Sequence, residues 1–195
     1  MRGTLPTEDD PMKTNNKLII ISGCCGAGKE TTARLLLSVL KPSAWIDMKS
    51  LGRIEPWAYG EELISLCVEN AADLVDNFFR AGYYQVVLSG GIHSQRELDA
   101  LMTFVHTDCR VIYIWLDVDK AVRDKWRIAR ARDDADNPEH LDFVDSVVTD
   151  PGELSISSGV YHRLTTDCET PEEVLKNVLA VLAKERLALK GANSD

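Results

Sequence analysis

The sequence predicts an α/β domain: a parallel sheet with helices on both faces. Three observations carry that reading. From Lys17 onward, short β-branched runs alternate with stretches of helical periodicity. The runs are continuously apolar, which suits strands covered on both sides. Finally, 195 residues at 45% apolar composition supply one sizeable core and rule out two large domains.

Residues 1–16 are polar and aperiodic, with Thr7-Glu8-Asp9-Asp10-Pro11 where a secretory signal would be hydrophobic, so they are expected to form a flexible leader. A single domain is expected over 17–190, followed by a short tail at 191–195. Five strands are predicted: Leu18 to Ser22, Ala44 to Met48, Gln85 to Ser89, Val111 to Leu116 and Tyr161 to Thr165. The first helix spans Lys29 to Leu40, with Leu35, Leu36, Val39 and Leu40 as its apolar stripe and Pro42 as its stop. A second runs from about Glu61 to Arg80 on Leu63, Leu66, Ala71, Leu74, Val75 and Phe78, with Gly82 suited to the left-handed residue that ends it. Ser94-Gln95-Arg96-Glu97 reads as a capping box opening a third, which ends near Val105. A fourth starts near Asp119 with Val122, Trp126 and Ile128, and the acidic run at 133–136 breaks it before Pro138. The last opens at Thr170-Pro171-Glu172-Glu173, which combines a cap residue, proline at the first helical position and carboxylates at the positive dipole end.

With 22 basic and 31 acidic side chains the net charge is −9, which disfavours a protein held on duplex nucleic acid or anionic lipid by a broad basic face. Five cysteines show no paired metal spacing and read as reduced thiols, so a cytoplasmic protein without a membrane segment is expected. The chemistry lies in Gly23-Cys24-Cys25-Gly26-Ala27-Gly28-Lys29, set between the first strand and first helix with the GxxxxGK spacing of a phosphate-binding loop. Glycines let the backbone wrap a phosphate chain, the amides of the helix N-terminus point at the anion, and Lys29 adds a cation.

On these residues the chain resembles the P-loop small-molecule kinases, such as shikimate and gluconate kinases and chloramphenicol phosphotransferase, over about 17–183. The resemblance implies a three-layer fold with strand order 2-3-1-4-5, ATP with Mg2+ as phosphoryl donor, and a small hydroxylated acceptor. It also implies an acceptor-binding region at about 49–82 and an arginine lid at about 123–140. Gly23 to Lys29 with Glu30 and Thr31 would hold the nucleotide. Asp47, at the end of the second strand, would orient the acceptor hydroxyl, or alternatively cap the turn that follows. Arg53, Gly90 and Gly91 would shape the acceptor site, and Thr166 to Thr170 would border the adenine. Arg127 and Arg130 would close over the phosphates, with Arg123 on the same helical face; the alternative is a solvated basic face paired with Asp124, Asp133 and Asp134. The chain lacks the acidic-Phe-Arg motif of shikimate kinases after the second strand.

One position departs from the family. Glu30 follows Lys29 where a metal-ligating Ser or Thr is usual, and Ser89 ends the third strand where an acidic residue is common. Three readings stay open: Glu30 binds the metal, Thr31 substitutes for it, or nucleotide binding and turnover are weakened. The expected activity is therefore ATP-dependent transfer of the γ-phosphate to a small-molecule hydroxyl by a monomer or homodimer. A nucleoside or nucleotide kinase and a nucleotide-binding regulatory protein with little turnover are the rivals. His93 stands near the inferred cleft, Trp57 and Tyr59 wall it or pack in the core, and Cys24 and Cys25 fill the loop or present a sensitive thiol.

Overall fold

The computed structural model describes residues 16–52, 55, 60–130, 143, 145–148, 150–167 and 169–192, without the side chains of 128–130 and 186–192. Five strands, β1 (Lys17–Gly23), β2 (Ser43–Asp47), β3 (Gln85–Ser89), β4 (Arg110–Asp117) and β5 (Gly159–Thr165), form one parallel sheet in the order β2-β3-β1-β4-β5. Helices α1 (Lys29–Val39), α2 (Glu61–Arg80), α3 (Gln95–Phe104), α4 (Lys120–Arg130) and α5 (Pro171–Ala192) connect and flank them. The expected three-layer fold and strand order are both present.

Alternation along β1 divides the core. Leu18 and Ile20 pack with Val68, Ala71, Val75 and Leu98 of α2 and α3, whereas Ile19 and Ile21 pack with Ala33, Leu36, Val178 and Leu182 of α1 and α5. Burial on both faces explains the unbroken apolar run in the central strands. It does not extend to the edges: β2 alternates between buried and half-buried positions, and β5 keeps all seven residues at least partly exposed. An edge strand has one neighbour and less cover, so Tyr161, His162 and Arg163 are accommodated there.

Two helical stripes also need correction. Val39 of α1 is half exposed and the buried face carries Thr32, Ala33 and Leu36; Leu66 of α2 is exposed, and Val68, Ala71, Ala72, Val75 and Phe79 point inward. Buried small residues let each helix approach the sheet closely; the expected stripes contain Ala71 but leave out Ala33 and Ala72. The ends marked by Gly82 and Thr170 are as expected, and the expected break at 133–136 lies outside the described residues. Gly82 is left-handed, with its own N–H and that of Tyr83 donating to the carbonyls of Phe79 and Phe78. Thr170 and Glu173 exchange backbone and side-chain bonds. At α3 the Ser94 hydroxyl accepts from the Glu97 N–H, but the Glu97 carboxylate accepts from the N–H of His93, one residue before the cap.

Buried Asp76 of α2 holds the loop before β4 by accepting from the backbone N–H groups of His106 and Thr107, both at 3.0 Å. Burial by itself would raise its pKa, but these donors outweigh burial and hold the carboxyl below its ordinary range. A depressed carboxyl stabilises the fold above its unfolded pKa, and that contribution is lost as pH falls through the folded one. Asp76→Ala is expected to cost about 3 kcal/mol at neutral pH and to flatten the acid limb of the stability curve, measured by urea unfolding from pH 7 to pH 3.

Candidate functional site

The loop after β1 is built by its glycines. Gly23 has φ +145°, and a Cβ there would lie 2.6 Å from the Leu116 carbonyl oxygen; Gly28, with φ +90°, caps α1. Ala27 is buried between them. Lys29 folds back over the loop, donating from Nζ to the carbonyl oxygens of Gly23 at 2.8 Å and Cys24 at 2.9 Å. Burial, and after it the nearby Lys49 ammonium, lowers the Lys29 pKa from the ordinary 10.5 to about 8. The Cys24 thiol donates to the Val148 carbonyl at 3.4 Å, and burial raises its pKa. Cys24 therefore behaves as a loop filler rather than an activated thiol.

Two cavities of about 340 and 300 Å³ flank this loop. The first joins Gly23, Cys25 and Lys29 to Gly90, Gly91 and His93 after β3, with Leu63, Ile64 and Cys67 of α2 and Met48 as its apolar wall. Gly90 has φ +77°, and a Cβ on it would come within 3.6 Å of Lys29 Cε; one on Gly91 would clash with Met48 at 2.7 Å. The two glycines therefore let β3 end against the lysine and the β2 turn. The second cavity runs along Ala27, Gly28, Thr31, Thr32, Trp126, Thr166, Glu169, Pro171 and Val174. Thr166 Oγ1 and Glu169 Oε2 are buried there without a partner among the described residues, as polar atoms awaiting a ligand would be.

Lys49, in the lining of the first cavity, pairs with Glu30, its Nζ 2.8 Å from Glu30 Oε1. Burial works against the Lys49 charge, but the Glu30 carboxylate outweighs it and raises the pKa. Lys49 neutralises the negative charge that Glu30 would otherwise place at an anion-binding helix N-terminus. Asp47 does not line either cavity. Its carboxylate accepts from the Lys49 N–H at 3.3 Å and the Ser50 hydroxyl at 3.1 Å, capping the turn over Met48–Ser50 that presents Lys49. Ser89 is buried, with its hydroxyl accepting from Trp45 Nε1 at 2.9 Å.

Arg123 and Arg127 are not on a solvated face: they are 5% and 7% exposed. Arg123 donates to the Cys25 carbonyl at 2.9 Å and to Asp145 at 2.7 Å. Arg127 lays its aliphatic arm on Gly26, pairs with Asp124 and reaches Asp145 Oδ2 at 3.6 Å, leaving Nε and Nη1 buried without partners among the described residues. Arg53, Trp57, Tyr59, the Arg130 side chain and residues 131–140 of the expected lid lie outside the described residues. Sequence reasoning missed Lys49, Trp126 and Asp145 as site residues. Asp145 falls in a stretch with no predicted element, and nothing local in the sequence marks it.

No protein-family model matches the chain, and no curated protein matches its sequence. Among solved structures, the chain is similar to a sugar kinase from Janibacter sp. HTCC2649, with TM-score 0.66, 15% identity, and coverage of 86% of this chain and 95% of that one. It is equally similar to a gluconokinase from Sinorhizobium meliloti, with TM-score 0.66, 14% identity, and coverage of 91% and 98%. The APS kinase of Mycobacterium tuberculosis, solved with AMPPNP and APS, aligns with TM-score 0.55, 18% identity, and coverage of 87% and 98%. The fold is that of the P-loop small-molecule kinases.

Proposed function

We propose that this chain is an ATP-dependent phosphotransferase that moves the γ-phosphate to a hydroxyl of a small molecule. One observation carries the reading: a single phosphate-binding loop lies between two cavities, so a nucleotide in the one and an acceptor in the other would meet at Lys29. The second cavity suits a nucleoside, with Trp126 offering an aromatic surface and Thr166 and Glu169 offering polar atoms without partners among the described residues. Loop amides and Lys29 would take the phosphates, and Arg127 and Arg130 would add charge opposite the transferring group. Gly90 and Gly91, together with Arg53, would border the acceptor. Asp47 would act through the turn that presents Lys49.

The donor set after Lys29 fits a hard divalent cation, because the Glu30 carboxylate and the Thr31 hydroxyl are both oxygen ligands of the kind Mg2+ prefers. When bound, Mg2+ would neutralise charge building on the phosphoryl oxygens. Lys49 competes for the same carboxylate, which favours a second reading of the site as a nucleotide sensor with little turnover. Glu30→Ser separates the two. For the kinase, turnover at limiting Mg2+ is expected to fall at least about 10-fold. A rise from no activity would instead establish the sensor.

The direct test is calorimetry of ATP binding with and without Mg2+, followed by ADP formation with gluconate, shikimate, adenosine and a wider set of alcohols. Acceptor-stimulated ADP formation is the expected result. Binding without turnover on any acceptor would remove the transferase reading, and no ATP binding would remove the nucleotide site. Stimulation by nucleosides or nucleotides alone would identify the other enzymatic rival. No helix among the described residues is long and apolar enough to cross a membrane.

A further inference from the structure

We propose that His93 receives the acceptor hydroxyl, its ring proton held on Nδ1 by Ser22 so that the Nε2 lone pair accepts the hydroxyl's hydrogen bond beside Lys29. The assignment rests on the phosphotransferase reading and adds to it the group that faces the attacking oxygen.

The tautomer follows from counting protons. Ser22 Oγ lies 2.6 Å from the Ile92 carbonyl oxygen, which carries no proton and accepts from the Tyr113 hydroxyl at 2.8 Å with its other lone pair; with Tyr113 donating to Ile92, a contact as short as 2.6 Å places the Ser22 proton on that carbonyl. Ser22 Oγ also lies 3.1 Å from His93 Nδ1. With its own proton committed, the hydroxyl can only accept there, and Nδ1 must be the donor. A neutral imidazole with hydrogen on Nδ1 has its lone pair on Nε2. Burial, and after it the Lys29 charge, lowers the ring pKa to about 3, so the ring is neutral at physiological pH.

The ring is also fixed. Its backbone N–H donates to Glu97 at 2.6 Å, and the ring meets Trp115 edge to face at 6.3 Å and 89°. His93 lines the first cavity together with Lys29, Gly90 and Gly91, and Nε2 makes no hydrogen bond among the described residues. Nε2 is thus the acceptor that His93, a residue of the wall, has left for an alcohol approaching the γ-phosphate. Asp47, whose carboxylate oxygens bond within their own turn, does not line that wall.

In the transfer, the acceptor oxygen bonds to the γ-phosphorus as the bond from phosphorus to the β–γ bridging oxygen breaks. ADP leaves with that electron pair, and the hydroxyl proton, hydrogen-bonded to Nε2 during the approach, is released to water as the new oxygen–phosphorus bond forms. The transition state is loose, so the main contribution of His93 is to aim the oxygen lone pair. Ser22 is a positioning residue that acts only through the imidazole.

The test combines 15N NMR of the full-length protein with ADP formation from ATP, using water, gluconate, shikimate and adenosine as acceptors. The proposal expects the His93 proton on Nδ1 and its transfer to Nε2 in Ser22→Ala. Ser22→Ala and His93→Phe are both expected to lose roughly 10- to 100-fold in kcat while nucleotide affinity stays within about twofold. A proton on Nε2 in the parent protein overturns the assignment. So does a Ser22→Ala protein whose tautomer changes while turnover does not. A parent protein that binds no ATP, or binds it and consumes none, overturns the phosphotransferase reading itself, and the assignment falls with it.

Discussion

Lys29→Met is expected to leave the protein folded while reducing ATP turnover by roughly 100- to 1000-fold and weakening nucleotide binding. The ammonium now serves the carbonyl oxygens of Gly23 and Cys24, and phosphate oxygens would replace them as its partners. Methionine keeps much of the aliphatic arm and removes the cation that two other groups in the cavity, His93 and Lys49, already feel. Stability changes little, since the two carbonyls lose a donor but the cost of burying a charge disappears with it. Calorimetry and ADP formation check the first claim, and thermal unfolding checks the second. A Lys29→Met protein that binds ATP as tightly as the parent would remove the lysine from the phosphate site.

The same lysine makes binding pH-dependent with a defined sign. In the free protein it titrates near 8, lowered first by burial and then by Lys49. Phosphate anions favour its charged form, so binding drives proton uptake of about half a proton per site at pH 8. Nucleotide affinity should fall as pH rises through that value. Stability of the free protein should move the other way, because between about 8 and 10.5 the unfolded chain holds more protons than the folded one. Both trends should vanish in Lys29→Met.

The central strands and the phosphate loop were legible because each has a local cause. Unbroken apolar runs report burial on both faces of β1, β3 and β4, and GxxxxGK between a strand and a helix reports an anion cradle whatever the rest of the chain does. The edge strands were legible in position but not in exposure, since that depends on what lies beside them. What escaped were pairings made across the fold. Glu30 stands out in sequence as an awkward carboxylate at a helix N-terminus, but its partner Lys49 is brought to it by a different strand. Asp145 meets Arg123 and Arg127 from a segment without regular periodicity, so no pattern of spacing could nominate it. His93 was visible as a neighbour of the cleft, whereas its proton position required seeing that Ser22 already donates to Ile92.

Arg127→Met should reduce turnover by roughly 1000-fold with a smaller effect on nucleotide affinity. The residue is 7% exposed, its aliphatic arm lies on Gly26 of the loop, and its guanidinium keeps Nε and Nη1 without partners among the described residues, a cost that a phosphate would remove. Asp145→Asn tests the same arrangement from the opposite side. Asp145 is itself nearly buried and faces both arginines, at 2.7 Å from Arg123 and 3.6 Å from Arg127. Neutralising it leaves buried cations short of compensation and should destabilise the free protein by about 3 kcal/mol. Nucleotide phosphates would restore the missing negative charge, so ATP should raise the melting temperature of Asp145→Asn by more than it raises that of the parent. If the arginines only brace the loop, ATP would stabilise both proteins equally, and Arg127→Met would lower stability and leave turnover per folded molecule unchanged.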